Sequence, residues 1–255
     1  MSVSQSTQDE SIEGQFNSET RRIRVAEVPR RHLRSVTGMM GFQFALGRKD
    51  AIKVLCVGAH SDDIEIGCGG TILRLLSEYA DVEVHWVVLG SEGERDLEAA
   101  ASAERFLAGS KMREIIIENF KNGFFPYRGE EIKGFFEKLK ERTAPDVVFT
   151  HYRDDLHQDH RVTSELTWNT FRDHLILEYE IMKYDGDLGT PNLFVPLTRE
   201  ICEKKVDVLM DCFNSQREKD WFTRDAFMAL LRIRGIEARA PGKYAEGFYC
   251  RKGVL

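Results

Sequence analysis

The sequence predicts an α/β fold: a Rossmann-like, mainly parallel sheet with helices on both faces and its chemistry at the carboxyl ends of the strands. Three observations predict it. Short apolar, β-branched runs recur from residue 52 onward, and segments of ten or more residues with helical periodicity separate them. That alternation implies right-handed βαβ crossovers and a sheet covered on both sides. Polar residues able to bind metal or move protons gather directly after two of the strands, where open α/β sheets place their ligands.

The elements follow in order. Residues 1–19 are rich in Ser, Gln, Glu and Asp and nearly devoid of apolar side chains. Such a stretch cannot offset its own ordering entropy, so it reads as a mobile tail before a single α/β domain over 20–255. Arg21, Arg22, Arg24, Arg30, Arg31 and Arg34 then surround Val25, Val28 and Pro29. A solvated lead-in to the first helix is the favoured reading, and a basic arm for an acidic partner or a second subunit, hence a homo-oligomer, stays open. Residues 36–46 are mostly apolar or small and are expected to pack under the domain. Strands are predicted at 52–57, 82–89, 114–118 and 146–150, with helices at 71–79, 95–107, 130–142 and 162–171. Beyond them a strand is expected at 176–182, a Gly/Pro/Asp-rich loop at 184–191, helices at 198–213 and 223–234, and a last strand at 246–250.

Composition narrows the partners. Lys and Arg total 36 against 42 Asp and Glu, a net charge of −6, which supports neither a nucleic-acid nor an anionic-membrane partner. No apolar run approaches the roughly 20 residues that span a bilayer, and the first residues lack the order of a secretory signal. The five cysteines are odd in number and form no C-x-x-C pair, which fits a reducing cytoplasm.

The first ligand-type cluster is His60, Asp62 and Asp63, and the second is His157, Asp159 and His160. Both sit at strand-to-helix turns, and in a parallel sheet all such turns emerge on one edge, so residues a hundred positions apart can share a crevice. Asp62 and Asp63 are consecutive on a turn and can take separate tasks, one on a metal and one on a water proton. The i, i+3 spacing of His157 and His160 brings both rings to one face of a first helical turn, without saying which is a ligand. Asp159 is placed to orient a ring by accepting its second N–H. Zinc hydrolases commonly use three such ligands and leave the fourth position for water.

Ala59-His60-Ser61-Asp62-Asp63-Ile64-Glu65 and His157-Gln158-Asp159-His160-Arg161 resemble the A-H-P-D-D-x-E and H-x-D-H signatures of the PIG-L/LmbE-like zinc-dependent N-deacetylases. Arg95-Asp96-Leu97-Glu98 looks like that family's R-x-x-E segment, and Ala245-Glu246-Gly247-Phe248 its late A-E-x-F, so the resemblance covers about 50–250. The first two motifs together are highly specific, whereas either alone is weak. The resemblance implies one Zn2+ per chain held by His60, Asp63 and His160, with Asp62 as general base. It implies that His157, braced by Asp159, steadies the oxyanion or protonates the leaving amine, that Arg95 lies near the acyl end of the substrate, and that Glu65 holds the loop. It also implies a substrate: an N-acetylated, N-acetylglucosamine-like sugar conjugate, nucleotide-linked or a natural-product glycoside, that releases acetate. Ser61 departs from the family's usual Pro, which frees the backbone and adds a hydroxyl beside the ligands.

Plainer readings stand beside these. A lone Asp pair is usually a solvated turn and a lone His structural; it is their joint pattern that points to metal. His85 reads as a satisfied core histidine, His32 and His174 as surface residues, and His151 as structural although near the site. Gly67, Gly69 and Gly70 miss the G-x-G-x-x-G spacing and read as close helix–sheet packing. Trp221, Phe222, Tyr244 and Tyr249 read as core, and Asp154 and Asp155 as either supports of the site or turn formers. Two other functions remain open: a non-catalytic sugar- or nucleotide-binding protein on the same scaffold, and a metal phosphoesterase.

Overall fold

The computed structural model describes residues 51–254. The expected tail, the arginine cluster, the apolar 36–46 stretch and His32 lie outside the described residues. Within them the chain runs β1 (Ile52–His60), α1 (Asp63–Glu78), β2 (Val82–Gly90), α2 (Glu94–Phe106), β3 (Met112–Ile117), α3 (Gly129–Arg142), β4 (Val147–His151) and α4 (Gln158–Thr170). It continues through β5 (Leu175–Tyr179), β6 (Leu193–Leu197), α5 (Arg199–Cys212), α6 (Arg224–Glu237) and β7 (Tyr244–Cys250). The seven strands form one mixed sheet in the order β3-β2-β1-β4-β5-β7-β6. β1 to β5 pair in parallel, and β7 joins antiparallel to β5 and β6.

β1 shows why the sheet is buried on both faces. Val54 and Cys56 enter one core with Ile72 of α1, Phe106 of α2 and Leu209 of α5. Leu55, Val57 and Ala59 point the other way, into a second core with Ile132 and Phe136 of α3 and Phe171. A strand apolar on both faces is what a doubly covered parallel sheet requires. Among the described residues no helix is long and apolar enough to cross a membrane.

Several elements differ from the sequence reading: β1 runs on to His60 and α4 begins at Gln158, four residues early. α1 begins at Asp63, eight residues before the expected start, and takes Gly67, Gly69 and Gly70 into its body. Each glycine lies where the helix meets its neighbours. A Cβ on Gly67 would stand 2.1 Å from the Tyr179 ring, one on Gly69 2.6 Å from Phe106, and one on Gly70 2.6 Å from Leu197. Close contact therefore outweighs the roughly 1 kcal/mol that each glycine costs a helix. β5 ends at Tyr179 rather than at residue 182, and β6 was not anticipated. β6 carries Pro196, which cannot donate to a ladder and is tolerated because this strand closes the sheet's edge.

Glu246 of β7 fastens this edge to the rest. Its carboxylate accepts from the Gly70 and Thr71 amides and the Thr71 hydroxyl, at 2.8, 2.6 and 2.6 Å. Lys205 of α5, itself buried, pairs with it at 2.6 Å. The late Ala245-Glu246-Gly247-Phe248 segment is thus a brace between β7, α1 and α5.

Candidate active site

Strand order reverses between β1 and β4, and the crevice at such a switch point is the expected ligand position. His60 ends β1 and His151 ends β4. Asp63 opens α1, while His157 caps α4 and His160 lies in its first turn. The two sequence clusters therefore meet across the gap between neighbouring parallel strands.

Three atoms define the centre. His60 Nδ1 lies 3.1 Å from His160 Nε2 and 3.3 Å from Asp63 Oδ2, and His160 Nε2 lies 3.5 Å from that same oxygen. Nitrogen and oxygen ligands 2.0–2.1 Å from a tetrahedral zinc would be about 3.3–3.4 Å apart. The donor set, two imidazoles and a carboxylate, suits the same ion, so the residues present fit it. His60 with His157 and His160, and Asp63 with His151 and His160, also converge closely enough to share a cation.

Carboxylates hold the outer nitrogens of both imidazoles. His160 Nδ1 faces Asp155 Oδ2 at 2.9 Å, and His60 Nε2 faces Asp159 Oδ2 at 3.2 Å. When each outer N–H donates to its carboxylate, the inner lone pair is left facing the centre, the arrangement that orients metal-binding histidines. This geometry turns His160 Nε2 toward His60 Nδ1 and Asp63 Oδ2. It also separates Asp155, which is buried against His160, from Asp154, which pairs with Arg251 at the surface.

Asp159 differs from expectation. Its carboxylate does not brace His157; it takes His60 Nε2 and the backbone amides of Gly123 and Phe125, at 2.6 and 3.1 Å. The Asp159 amide instead donates to His157 Nδ1 at 3.2 Å. That bond fixes the neutral His157 ring with its proton on Nε2.

Electrostatics divide the residues. Burial would lower His60, but Asp63 and Asp159 prevail and raise it to about 9. His160 is lowered to about 3 by burial and His151. Burial and the adjacent Asp63 raise Asp62, with Arg95 opposing. Burial and His60 lower His157. Asp63 stays well below the carboxylate range because His160, His151 and His60 outweigh its burial.

The remaining residues fall into place around this centre. Arg95 Nη2 donates to Asp62 Oδ1 at 3.1 Å, so it touches the candidate base directly. Glu65 is buried in α1, and its burial raises it well above the usual range against the opposing Ser102 hydroxyl, so it belongs to the α1–α2 contact. Glu98 accepts from the Ser215 amide and hydroxyl, and is likewise structural. Ser61 is buried and donates to the Ser91 hydroxyl at 2.9 Å, joining the ends of β1 and β2. His85 pairs with Glu114 at 2.9 Å, away from the site.

Sequence reasoning set His151 aside, yet its Nε2 is 3.1 Å from Asp63 Oδ2 and 2.9 Å from the Ala59 amide. That nitrogen accepts from Ala59 in one tautomer and donates to Asp63 in the other. The signal that could have found His151 is positional: it ends β4 as His60 ends β1.

The fold and site define an α/β protein with an Asp/His cluster, fit for a divalent metal, at the switch point of its sheet. Residues 55–171 match the family model described as PIG-L: GlcNAc-PI de-N-acetylase. Among solved structures it is similar to the N,N'-diacetylchitobiose deacetylase of Pyrococcus horikoshii. Identity is 25%, the TM-score 0.58, and the match covers 81% of this chain and 86% of that one. A deacetylase of the teicoplanin biosynthetic pathway matches at 14% identity and a TM-score of 0.62, over 78% of this chain and 97% of the other. GalB, the 4-carboxy-2-hydroxymuconate hydratase of Pseudomonas putida KT2440, matches at 19% identity and a TM-score of 0.63, over 80% and 98%. These last two share the fold, and a hydratase among them shows that scaffold alone does not fix the chemistry.

Proposed function

We propose that the protein is a zinc-dependent hydrolase that removes an N-acetyl group from an amino-sugar conjugate and releases acetate. The observation that carries this is the near-equilateral triangle of His60 Nδ1, Asp63 Oδ2 and His160 Nε2, with a buried carboxylate one residue away at Asp62. The amino-sugar preference is supported by the GlcNAc-PI de-N-acetylase description of the family and by the chitobiose deacetylase among similar structures.

His60, Asp63 and His160 would hold the ion. Zinc in such a site supplies Lewis acidity, polarising an amide carbonyl and making water acidic near pH 7. Asp62 is the general base. Arg95 fixes its Oδ1, its other oxygen takes the proton of the attacking water, and its raised pKa brings it nearer the operating pH. His157 presents Nε2–H, suited to an oxyanion or to the nitrogen of the departing amine, which leaves poorly unless protonated. Asp159 orients His60 and holds the 123–125 backbone against the site.

The experiment is an acetate-release assay over a panel of N-acetylated sugar conjugates, on stripped protein given one equivalent of zinc. Acetate should appear only with zinc. Asp62→Asn should keep the metal and lose 10²–10⁴-fold in kcat, the range for a general base. Full activity of Asp62→Asn would overturn the base assignment, and zinc binding without acetate from any conjugate would overturn the deacetylase reading.

A further inference from the structure

We infer that Lys183, in the segment between β5 and β6, is a positioning residue for the metal site, acting through Asp155 on His160. The inference rests on the proposed reading of His160 as a ligand. Lys183 Nζ lies 3.0 Å from Asp155 Oδ2, the oxygen that also faces His160 Nδ1 at 2.9 Å. Its second anchor is Asp187 Oδ2 at 2.5 Å, and Asp187 accepts from the Leu156 amide at 2.7 Å. Asp155 is further held through Oδ1, which accepts from the His157 amide at 2.8 Å. The side chains of Lys183, Asp187 and Asp155 are 8%, 7% and 2% exposed, so this relay is out of bulk water.

Its purpose follows from charge. A buried carboxylate is costly to keep without a partner cation. His160, as a neutral ligand, offers Asp155 one N–H and no charge, and the ammonium of Lys183 supplies what is missing. Lys183 thereby keeps Oδ2 aimed at His160 and the ring's inner nitrogen aimed at the centre. The next residue, Tyr184, is exposed, and its hydroxyl accepts from the Asp220 amide at 3.3 Å. One loop thus braces the ligand from within and presents an aromatic ring outside.

The test is zinc affinity, measured by competition with a chromophoric chelator, with thermal melting of the metal-free protein alongside. Lys183→Met should weaken zinc binding 10–100-fold, the usual loss when an outer-sphere partner of a metal ligand is removed. Lys183→Arg, which keeps the charge, should recover most of it. Arg234→Met is the control: Arg234 is buried, pairs with Glu180 at 2.8 Å and holds the Gly189 carbonyl at the other end of the same loop, with no bond to Asp155. It should lower the melting temperature and leave zinc affinity unchanged. Unaltered affinity in Lys183→Met, or an equal loss in Arg234→Met, would overturn the inference. If Lys183→Met does not fold, Asp187→Asn is measured in its place under the same criteria. Failure of wild-type protein to bind zinc, or binding that survives His160→Ala, would instead overturn the ligand reading itself.

Discussion

Zinc should compete with one proton at His60, and the competition should set the pH dependence of metal binding. In the metal-free site His60 is raised to about 9. Its Nε2–H already points to Asp159, so the extra proton sits on Nδ1, the nitrogen facing Asp63 and His160. That lone pair is the one a metal needs, so binding displaces the proton. Below 9 the apparent affinity should fall about tenfold per pH unit, and at pH 7 it should be about 100-fold, or about 3 kcal/mol, under its high-pH limit. Calorimetry in buffers of different ionisation heat should count about one proton released per zinc at pH 7 and few at pH 10. The same raised pKa makes the protonated ring a stabilising group in the metal-free fold. This contribution is complete below the unfolded value near 6.5 and lost as pH rises through 9, so metal-free protein should lose stability across that window. No proton release at pH 7, with affinity flat from 6.5 to 9, would refute the assignment of the charge.

Two further outcomes test the supports of the site. Asp159→Ala removes the carboxylate whose two oxygens accept from His60, Gly123 and Phe125. It should weaken zinc binding about 10–100-fold and increase amide exchange at 123 and 125, measured by competition titration and hydrogen–deuterium exchange. Glu246→Ala strands the buried Lys205 ammonium and should cost about 3–5 kcal/mol in urea unfolding, with zinc affinity unchanged in the protein that remains folded.

The parallel core was legible because its strands are apolar on both faces and its helices long. β6 was not: among the described strands it hydrogen-bonds to β7 alone, and Pro196 speaks against a strand unless its edge position is known. The start of α1 was hidden by three glycines that read as loop, and only the rings of Tyr179 and Phe106 explain why a helix keeps them. At the site, the clusters at 60–63 and 157–160 could be paired because strand-end turns share an edge. The partners of Asp159 could not be read, since the amides of Gly123 and Phe125 carry no side-chain signature and lie more than 30 residues away. His151 and Asp155 were underestimated for a related reason: what makes each matter is a single oxygen or nitrogen contributed by another segment.

The glycine face of α1 has a bearing on how such a chain can change. Gly67 is wedged on Tyr179, Gly69 on Phe106 and Gly70 on Leu197, so the floor beneath the crevice has no slack for even a methyl group. The β5–β6 crossover, by contrast, leaves Tyr184 and Leu188 in solvent. New substrates would be accommodated by redrafting that rim, while the floor stayed fixed in its original residues.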